Sequence, residues 1–117
     1  MNEHNIQSLI MCKLSEMGFV PLRANSGVFW QGKQVTINGV KALIDLKAVK
    51  GMPKGTSDII CILPQGKIAW IECKTLKGKQ RDDQVRFQKM IESMGHKYYV
   101  MRSVDDCNIL VDFFKKT

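Results

Sequence analysis

This chain has only two histidines and four cysteines, and no two cysteines form a CxxC pair. A structural zinc centre needs four such ligands in a cluster, so a zinc-organised fold is not expected. Cysteines 12, 61, 73 and 107 are scattered. Cys61 and Cys73 fall in apolar runs and read as small core residues rather than as parts of a disulfide framework. No apolar run is long enough to span a bilayer. The first residues are polar, unlike a secretory leader. Repeats, linkers and low-complexity segments are also missing. These absences set aside membrane-spanning, disulfide-stapled and repeat architectures. They leave the expectation of a cytoplasmic protein whose 117 residues form one domain with one core, over 1–117.

Acidic residues are the minority, 11 against 18 Lys and Arg, for a net charge of +7. That balance suits a polyanionic partner, either nucleic acid or an anionic membrane surface. Its placement says more. Lys47, Lys50 and Lys54 precede Asp58, and Lys74, Lys77, Lys79 and Arg81 follow Glu72. Two basic segments bracket two carboxylates.

Those carboxylates sit in the stretch around which the chain is organised, GTSDIICILPQGKIAWIECK over 55–74. Asp58 to Leu63 is a short β-branched run and reads as a buried strand. Pro64-Gln65-Gly66-Lys67 carries turn chemistry. Ile68 to Lys74 reads as the returning strand. With period-2 alternation, Trp70, Glu72 and Lys74 share one face, and Ile71 and Cys73 the other. Pairing about the turn sets Asp58 opposite the Glu72–Lys74 end. Two close carboxylates resist joint ionisation unless a cation lies between them. A hard divalent ion takes oxygen ligands. Asp58, Glu72 and the Cys73 backbone carbonyl could supply them, with Lys74 orienting a bound water and stabilising charge on a phosphate. Spacing alone is equally that of a half-exposed Glu–Lys face with an unrelated Asp nearby.

The order of motifs is more specific. Glu3-His4-Asn5-Ile6 in a first helix precedes Gly55-Thr56-Ser57-Asp58 at a strand start. Glu72-Cys73-Lys74, a basic Lys77-Gly78-Lys79 connection and Gln84 on a following helix complete the set. This resembles the PD-(D/E)xK nuclease core and, more narrowly, its VRR-NUC branch in small stand-alone, phage-type form. Ser57 stands where that family usually has Pro before the Asp. The resemblance implies an α/β fold with a restriction-endonuclease-like core, a mixed β-sheet flanked by helices. It implies a Mg²⁺- or Mn²⁺-dependent endodeoxyribonuclease leaving 5′-phosphate ends. Its partner would be DNA, branched DNA such as four-way junctions above all, and it would act as a homodimer with no nucleotide cofactor. A phage-encoded copy would work in the host cytoplasm. It also implies Asp58, Glu72, Lys74 and Gln84 as catalytic residues, Asp58, Glu72, the Cys73 carbonyl and Glu3 as metal ligands, and a substrate-facing turn at Arg23 and Asn25. A non-catalytic module that holds structured DNA and a restriction-type nuclease are the competing readings.

Elsewhere the pattern predicts a helix over 3–17 with Ile6, Leu9, Ile10, Leu14 and Met17 inward, ended by Gly18. Glu3, in its first turn, is equally explained by the helix dipole. A first strand over 19–23 is confined to an edge by Pro21. A hairpin is expected about Gln31-Gly32-Lys33 and a second at Asn38-Gly39. Trp30 and the 29–44 hairpins are candidates for a dimer interface. Residues 47–57 read as a loop rich in Gly and Pro, able to admit a phosphate backbone. A second helix over 80–94 puts Phe87, Met90, Ile91 and Met94 inward, with Gln84 at the core edge and Gln88 a turn further on. Arg81, Arg86 and Lys89 face outward as DNA contacts. His4 and His96 read as surface residues. A strand over 97–101 follows. Ser103 then caps a last helix with Ile109, Leu110, Phe113 and Phe114 inward.

Overall fold

A computed structural model describes residues 2–24, 28–50 and 52–111. The chain runs α1 (Glu3–Glu16), β1 (Val20–Arg23), β2 (Val28–Ile37), β3 (Val40–Lys50), β4 (Ile59–Leu63), β5 (Lys67–Cys73), α2 (Asp82–Ser93), β6 (Lys97–Met101) and a 3₁₀ helix (Val104–Asn108). Four strands form a mixed sheet in the order β1-β4-β5-β6. β1, β4 and β5 pair antiparallel, and β5 and β6 pair parallel. A parallel pair needs a crossover between its strands, and α2 supplies it.

Local chemistry sets the boundaries. The Asn2 side chain caps α1 by accepting from the Asn5 amide at 2.8 Å. Pro21 lies on edge strand β1, where its missing N–H costs little. The turn between β4 and β5 uses Gln65 and Gly66 at φ 66° and 72°, the left-handed pair that matches strand twist. Asn38 and Gly39 make the same kind of turn between β2 and β3.

The sheet divides the core as its alternation dictates. On one face, Ile6, Ile10 and Leu14 of α1 meet Ile59 and Cys61 of β4 and Ile71 and Cys73 of β5, with Met101, Cys107 and Leu110. On the other, Phe87 and Ile91 of α2 pack on Tyr98, Trp70 and Val100. Helices therefore flank a mixed sheet on both sides, as expected.

Several local expectations are corrected. Gln31-Gly32-Lys33 is no turn. β2 runs straight through it, with a bulge opposite Ile44–Lys47. Gly32 fits there because a Cβ would strike the Ile44 carbonyl and Leu46. Lys47–Lys50 is strand rather than loop, since the long hairpin partner extends it to Lys50. Met90 and Met94 are exposed, because Gln84 rather than the methionines joins Phe87 and Ile91 on the buried stripe. Leu9 and Ile109 also face outward. His96 is half-buried, edge-on to Trp70 at a 5.7 Å centroid distance. Phe113 and Phe114 lie outside the described residues.

Among the described residues β2 and β3 pair only with each other, and the molecule spans 60 × 32 × 30 Å. One hairpin face carries Val35 and Ile37 beside Val40, Ala42 and Ile44 in register.

Gly55 fixes how the 52–58 segment meets α2. Its φ is +91°, and a Cβ there would run into the backbone carbonyl of Asp83. Gly55→Ala is expected to cost about 2 kcal/mol or more, from left-handed backbone plus the clash. It should appear as a lower urea midpoint at unchanged m-value.

Candidate active site

Asp58, Glu72 and Lys74 converge at one end of the sheet. Ile59 pairs with Ile71, which brings Asp58 level with the end of β5. The Asp58 Oδ2 accepts from the Cys73 amide at 2.7 Å. Its own carbonyl accepts from the Ala24 amide, which ties the end of β1 to the same place. Ser57, fully buried, donates its hydroxyl to the Ile59 carbonyl at 3.2 Å. It holds the strand start by that bond.

Glu72 is fully buried on the α2 face of β5. A carboxylate in such a place costs several kcal/mol unless its oxygens are paired. One oxygen is. The Oε1 accepts from the Tyr98 hydroxyl at 2.7 Å and from the Gln80 amide at 3.0 Å. The other oxygen, Oε2, is buried without a hydrogen-bond partner among the described residues. Its neighbour is the Lys74 ammonium at 3.8 Å, itself only 5% exposed. The Gln80 amide nitrogen also donates to Gln88 Oε1 at 2.8 Å, which fixes the amide's orientation. Burial, then the bond to Glu72 and the charges of Glu72 and Asp58, raise the Tyr98 phenol above its usual pKa. It therefore stays a donor.

Asp58 titrates above the ordinary aspartate value. Burial is the largest cause, and the carboxylates of Glu3 and Glu72 add to it against the Cys73 amide and Lys74. Glu3, in the first turn of α1, is thus within electrostatic reach of Asp58. Burial, then Asp58 and Glu3, likewise push the Cys73 thiol far up, so it is an inert core group. Among the described residues, no three His, Cys, Asp or Glu side chains gather tightly enough to hold a metal ion by themselves. The side-chain oxygens at the sheet end come from Asp58 and Glu72. The orphaned Glu72 Oε2, beside a carboxylate whose ionisation is opposed by its neighbours, fits a hard divalent cation that keeps several waters.

Gln84 is buried at the start of α2, and its Oε1 accepts from the Arg81 amide at 2.9 Å as a helix cap. Its oxygen is therefore structural, and its amide NH₂ is the group left for chemistry.

The basic residues lie around this centre. Lys54, Lys77, Lys79 and Arg81 are exposed, as are Arg86 and Lys89. Arg23, also exposed, ends β1 beside Met11 Sδ at 3.8 Å. Partial burial works to raise the Asp83 pKa, but the Arg81 bond and charge, the Gln84 amide and Lys54 outweigh it and lower it. The two basic segments thus meet at the N-terminus of α2. Lys50 ends β3. Its side chain and Asn25 lie outside the described residues.

Tyr98, Gln80 and Arg102 were not legible as site residues. Tyr98 reaches Glu72 only through the parallel pairing of β5 with β6, where Trp70 meets Tyr98 and Glu72 meets Val100. Arg102 Nη1 donates to the carbonyls of Thr75 and Gly78, both at 2.6 Å, and more weakly to Leu76. It pins the loop that follows Lys74.

Comparison with known proteins bears on this arrangement. The family model described as the VRR-NUC domain matches residues 1–105. A solved structure described as a VRR_NUC domain superposes with a TM-score of 0.61 at 18% identity, covering 94% of this chain and 94% of that one. At that identity the likeness speaks for the fold. No curated protein sequence matches this chain.

Proposed function

This chain belongs to the VRR-NUC domain family, a nuclease family, and from that premise we propose that it is a divalent-metal-dependent endonuclease hydrolysing phosphodiester bonds in branched DNA, four-way junctions included. The observation that carries the proposal is the split state of Glu72. One oxygen is held by Tyr98 and Gln80, and the other is buried beside Lys74 without a hydrogen bond.

Asp58 and Glu72 would hold Mg²⁺ or Mn²⁺, with the Cys73 carbonyl and Glu3 as supporting oxygens. When bound, the ion supplies activation of water and neutralisation of phosphate charge. The chain's own groups do the rest. Lys74 Nζ, 3.8 Å from Glu72 Oε2, orients the attacking water in line with phosphorus and donates to a phosphoryl oxygen. The Gln84 NH₂ holds the same water or a phosphate oxygen. Arg23, Asn25, Lys50, Lys54, Lys77, Lys79 and Arg81 carry the strands by phosphate contacts, which position DNA without reading sequence.

Tyr98 and Gln80 are positioning residues for Glu72. Tyr98→Phe removes one of the two donors to Oε1 and leaves the ring packing against Phe87 intact. We expect metal affinity, measured calorimetrically, to fall about tenfold, in the range for second ligand-shell partners.

The working unit in this proposal is a homodimer, since two related sites can cut two symmetric strands. The bare face of the β2–β3 hairpin supports it. Ile37 is 54% exposed and Val40 65% exposed, and a two-stranded hairpin with one apolar face is marginal alone in water. Ile37→Lys combined with Ile44→Lys should halve the mass seen by light scattering.

Substrate choice is tested by comparing kcat/KM on labelled four-way junction, flap, single-stranded and linear duplex DNA. The proposal expects the junction to be favoured. Cutting of linear duplex at fixed sequences would move the restriction-type reading forward.

A further inference from the structure

Beside the proposed site, on the α1 side of the sheet end, lies a cavity of about 540 Å³. Ligand pockets occupy about 300–1,000 Å³, with apolar walls and a few convergent polar groups. This one fits that description. Ile6 and Leu9 of α1, Leu76 and Val104 supply aliphatic walls, and Thr75, Lys77, Arg102 and Ser103 supply the polar ones. We infer that this cavity receives an unstacked nucleobase from the strand whose phosphate lies at Lys74. The inference rests on the nuclease reading above for the position of that phosphate.

Three observations point to a base. The first is continuity with the site. Thr75 directly follows Lys74, and Ile6 lies one turn beyond Glu3. Two cavity walls are thus extensions of the elements that carry the carboxylates and the lysine. A phosphate held at Lys74 would sit one residue along the chain from the Thr75 wall of this cavity.

The second is charge. The polar side of the cavity carries two cations, Lys77 and Arg102, with no carboxylate among the described residues that line it. That selects an anionic chain with an apolar appendage, which describes a nucleotide and not an acidic-tolerant peptide groove. A base offers two flat apolar faces to aliphatic side chains, and an edge of donors and acceptors to the Thr75 and Ser103 hydroxyls.

The third is rigidity. Leu76 is 80% exposed and lines the cavity. Yet its loop is held by the Arg102 guanidinium through the Thr75, Leu76 and Gly78 carbonyls. A fixed, exposed apolar side chain at the mouth of a cavity is suited to wedge beside a base step. Branch points supply unpaired bases at little cost. The cavity would therefore favour branched over continuous duplex DNA.

The test uses the full chain with ¹³C-labelled Ile, Leu and Val methyls, titrated in EDTA with d(TTT) and with the same trinucleotide carrying an abasic centre. The expected result is methyl shifts at Ile6, Leu9, Leu76 and Val104 with d(TTT) alone, and about tenfold weaker binding of the abasic form. Leu76→Ser, at an exposed position, should weaken d(TTT) binding and leave the abasic form unchanged. Equal binding of both trinucleotides, or shifts absent from these four residues, would overturn the inference. So would contacts from Phe113 or Phe114 to these methyls in the free protein, which would assign the cavity to the chain's own C-terminal residues. Because no cleavage is read, the outcome separates from that of the nuclease reading. A junction cut in Mg²⁺ without these shifts removes the pocket and keeps the enzyme, and shifts without any cutting do the reverse.

Discussion

Lys74→Ala is expected to lower the single-turnover rate of DNA cleavage by about 10²–10⁴-fold while junction binding, measured by anisotropy in Ca²⁺, changes little. The side chain is nearly buried, and its ammonium is 3.8 Å from Glu72 Oε2. Its backbone amide donates to the Met101 carbonyl and is untouched by the substitution, so the strand end keeps its place. What disappears is the charge that the proposed mechanism sets against the phosphate. The exposed basic residues proposed to carry DNA, Lys77, Lys79 and Arg81 among them, remain. Lys74→Arg should rescue little, because a planar guanidinium does not fit a space shaped for a compact ammonium. Some loss of stability accompanies the alanine variant, since a buried carboxylate loses its nearest cation. Working at 20 °C or below, with folding checked by circular dichroism, keeps the kinetic effect separate.

Asp58→Asn should abolish metal-dependent cleavage and yet raise the melting temperature of the metal-free protein. The sign follows from the titration of Asp58. Burial first, then the carboxylates of Glu3 and Glu72, raise its pKa in the fold. The folded state therefore favours the protonated form. The metal-free protein has that stabilisation in full at acid pH and loses it as pH climbs from the unfolded value through the raised folded one. Asparagine keeps an oxygen for the Cys73 amide and carries no charge, so the loss at neutral pH is avoided. A divalent ion has the opposite preference and binds the ionised form. Saturating Mg²⁺ should thus raise the melting temperature of the wild type at pH 7.5, less so as pH falls through the raised Asp58 pKa. In Asp58→Asn it should do nothing at any pH. Differential scanning calorimetry with Mg²⁺ or EDTA reads both effects. A variant that melts lower than the wild type in EDTA would mean that the Asp58 charge stabilises the fold, contrary to this account.

Local pattern carried much of this fold. Alternation along 68–74 put Trp70, Glu72 and Lys74 on one face and Ile71 and Cys73 on the other, as the two core clusters show. Turn chemistry at Asn38-Gly39 and Gln65-Gly66, and glycines at positive φ after each helix, marked where elements end. The failures have a common cause in contacts distant along the chain. Lys47–Lys50 looked like loop because Gly51 and Pro53 follow, but its partner strand at 28–31 extends the ladder. Met90 and Met94 looked inward by helical spacing, but the face that α2 buries is that of Gln84, Phe87 and Ile91. Tyr98 and Gln80 gave no local sign of their bond to Glu72, which is 26 residues from the one and 8 from the other. Gln84 was read for its position in a family pattern, and its carbonyl oxygen turns out to serve the helix start.

The account rests on the sheet end being a metal-dependent phosphodiesterase, and one assay addresses that most directly. Wild-type protein is incubated with an end-labelled four-way junction in Mg²⁺, in Mn²⁺ and in EDTA. Products are resolved on a denaturing gel and treated with ligase to report their 5′ ends. The account predicts cleavage in either metal, none in EDTA, and nicks that ligase can seal. Tight binding of the junction with no cleavage in either metal would contradict it, and would leave a module that holds branched DNA without cutting it.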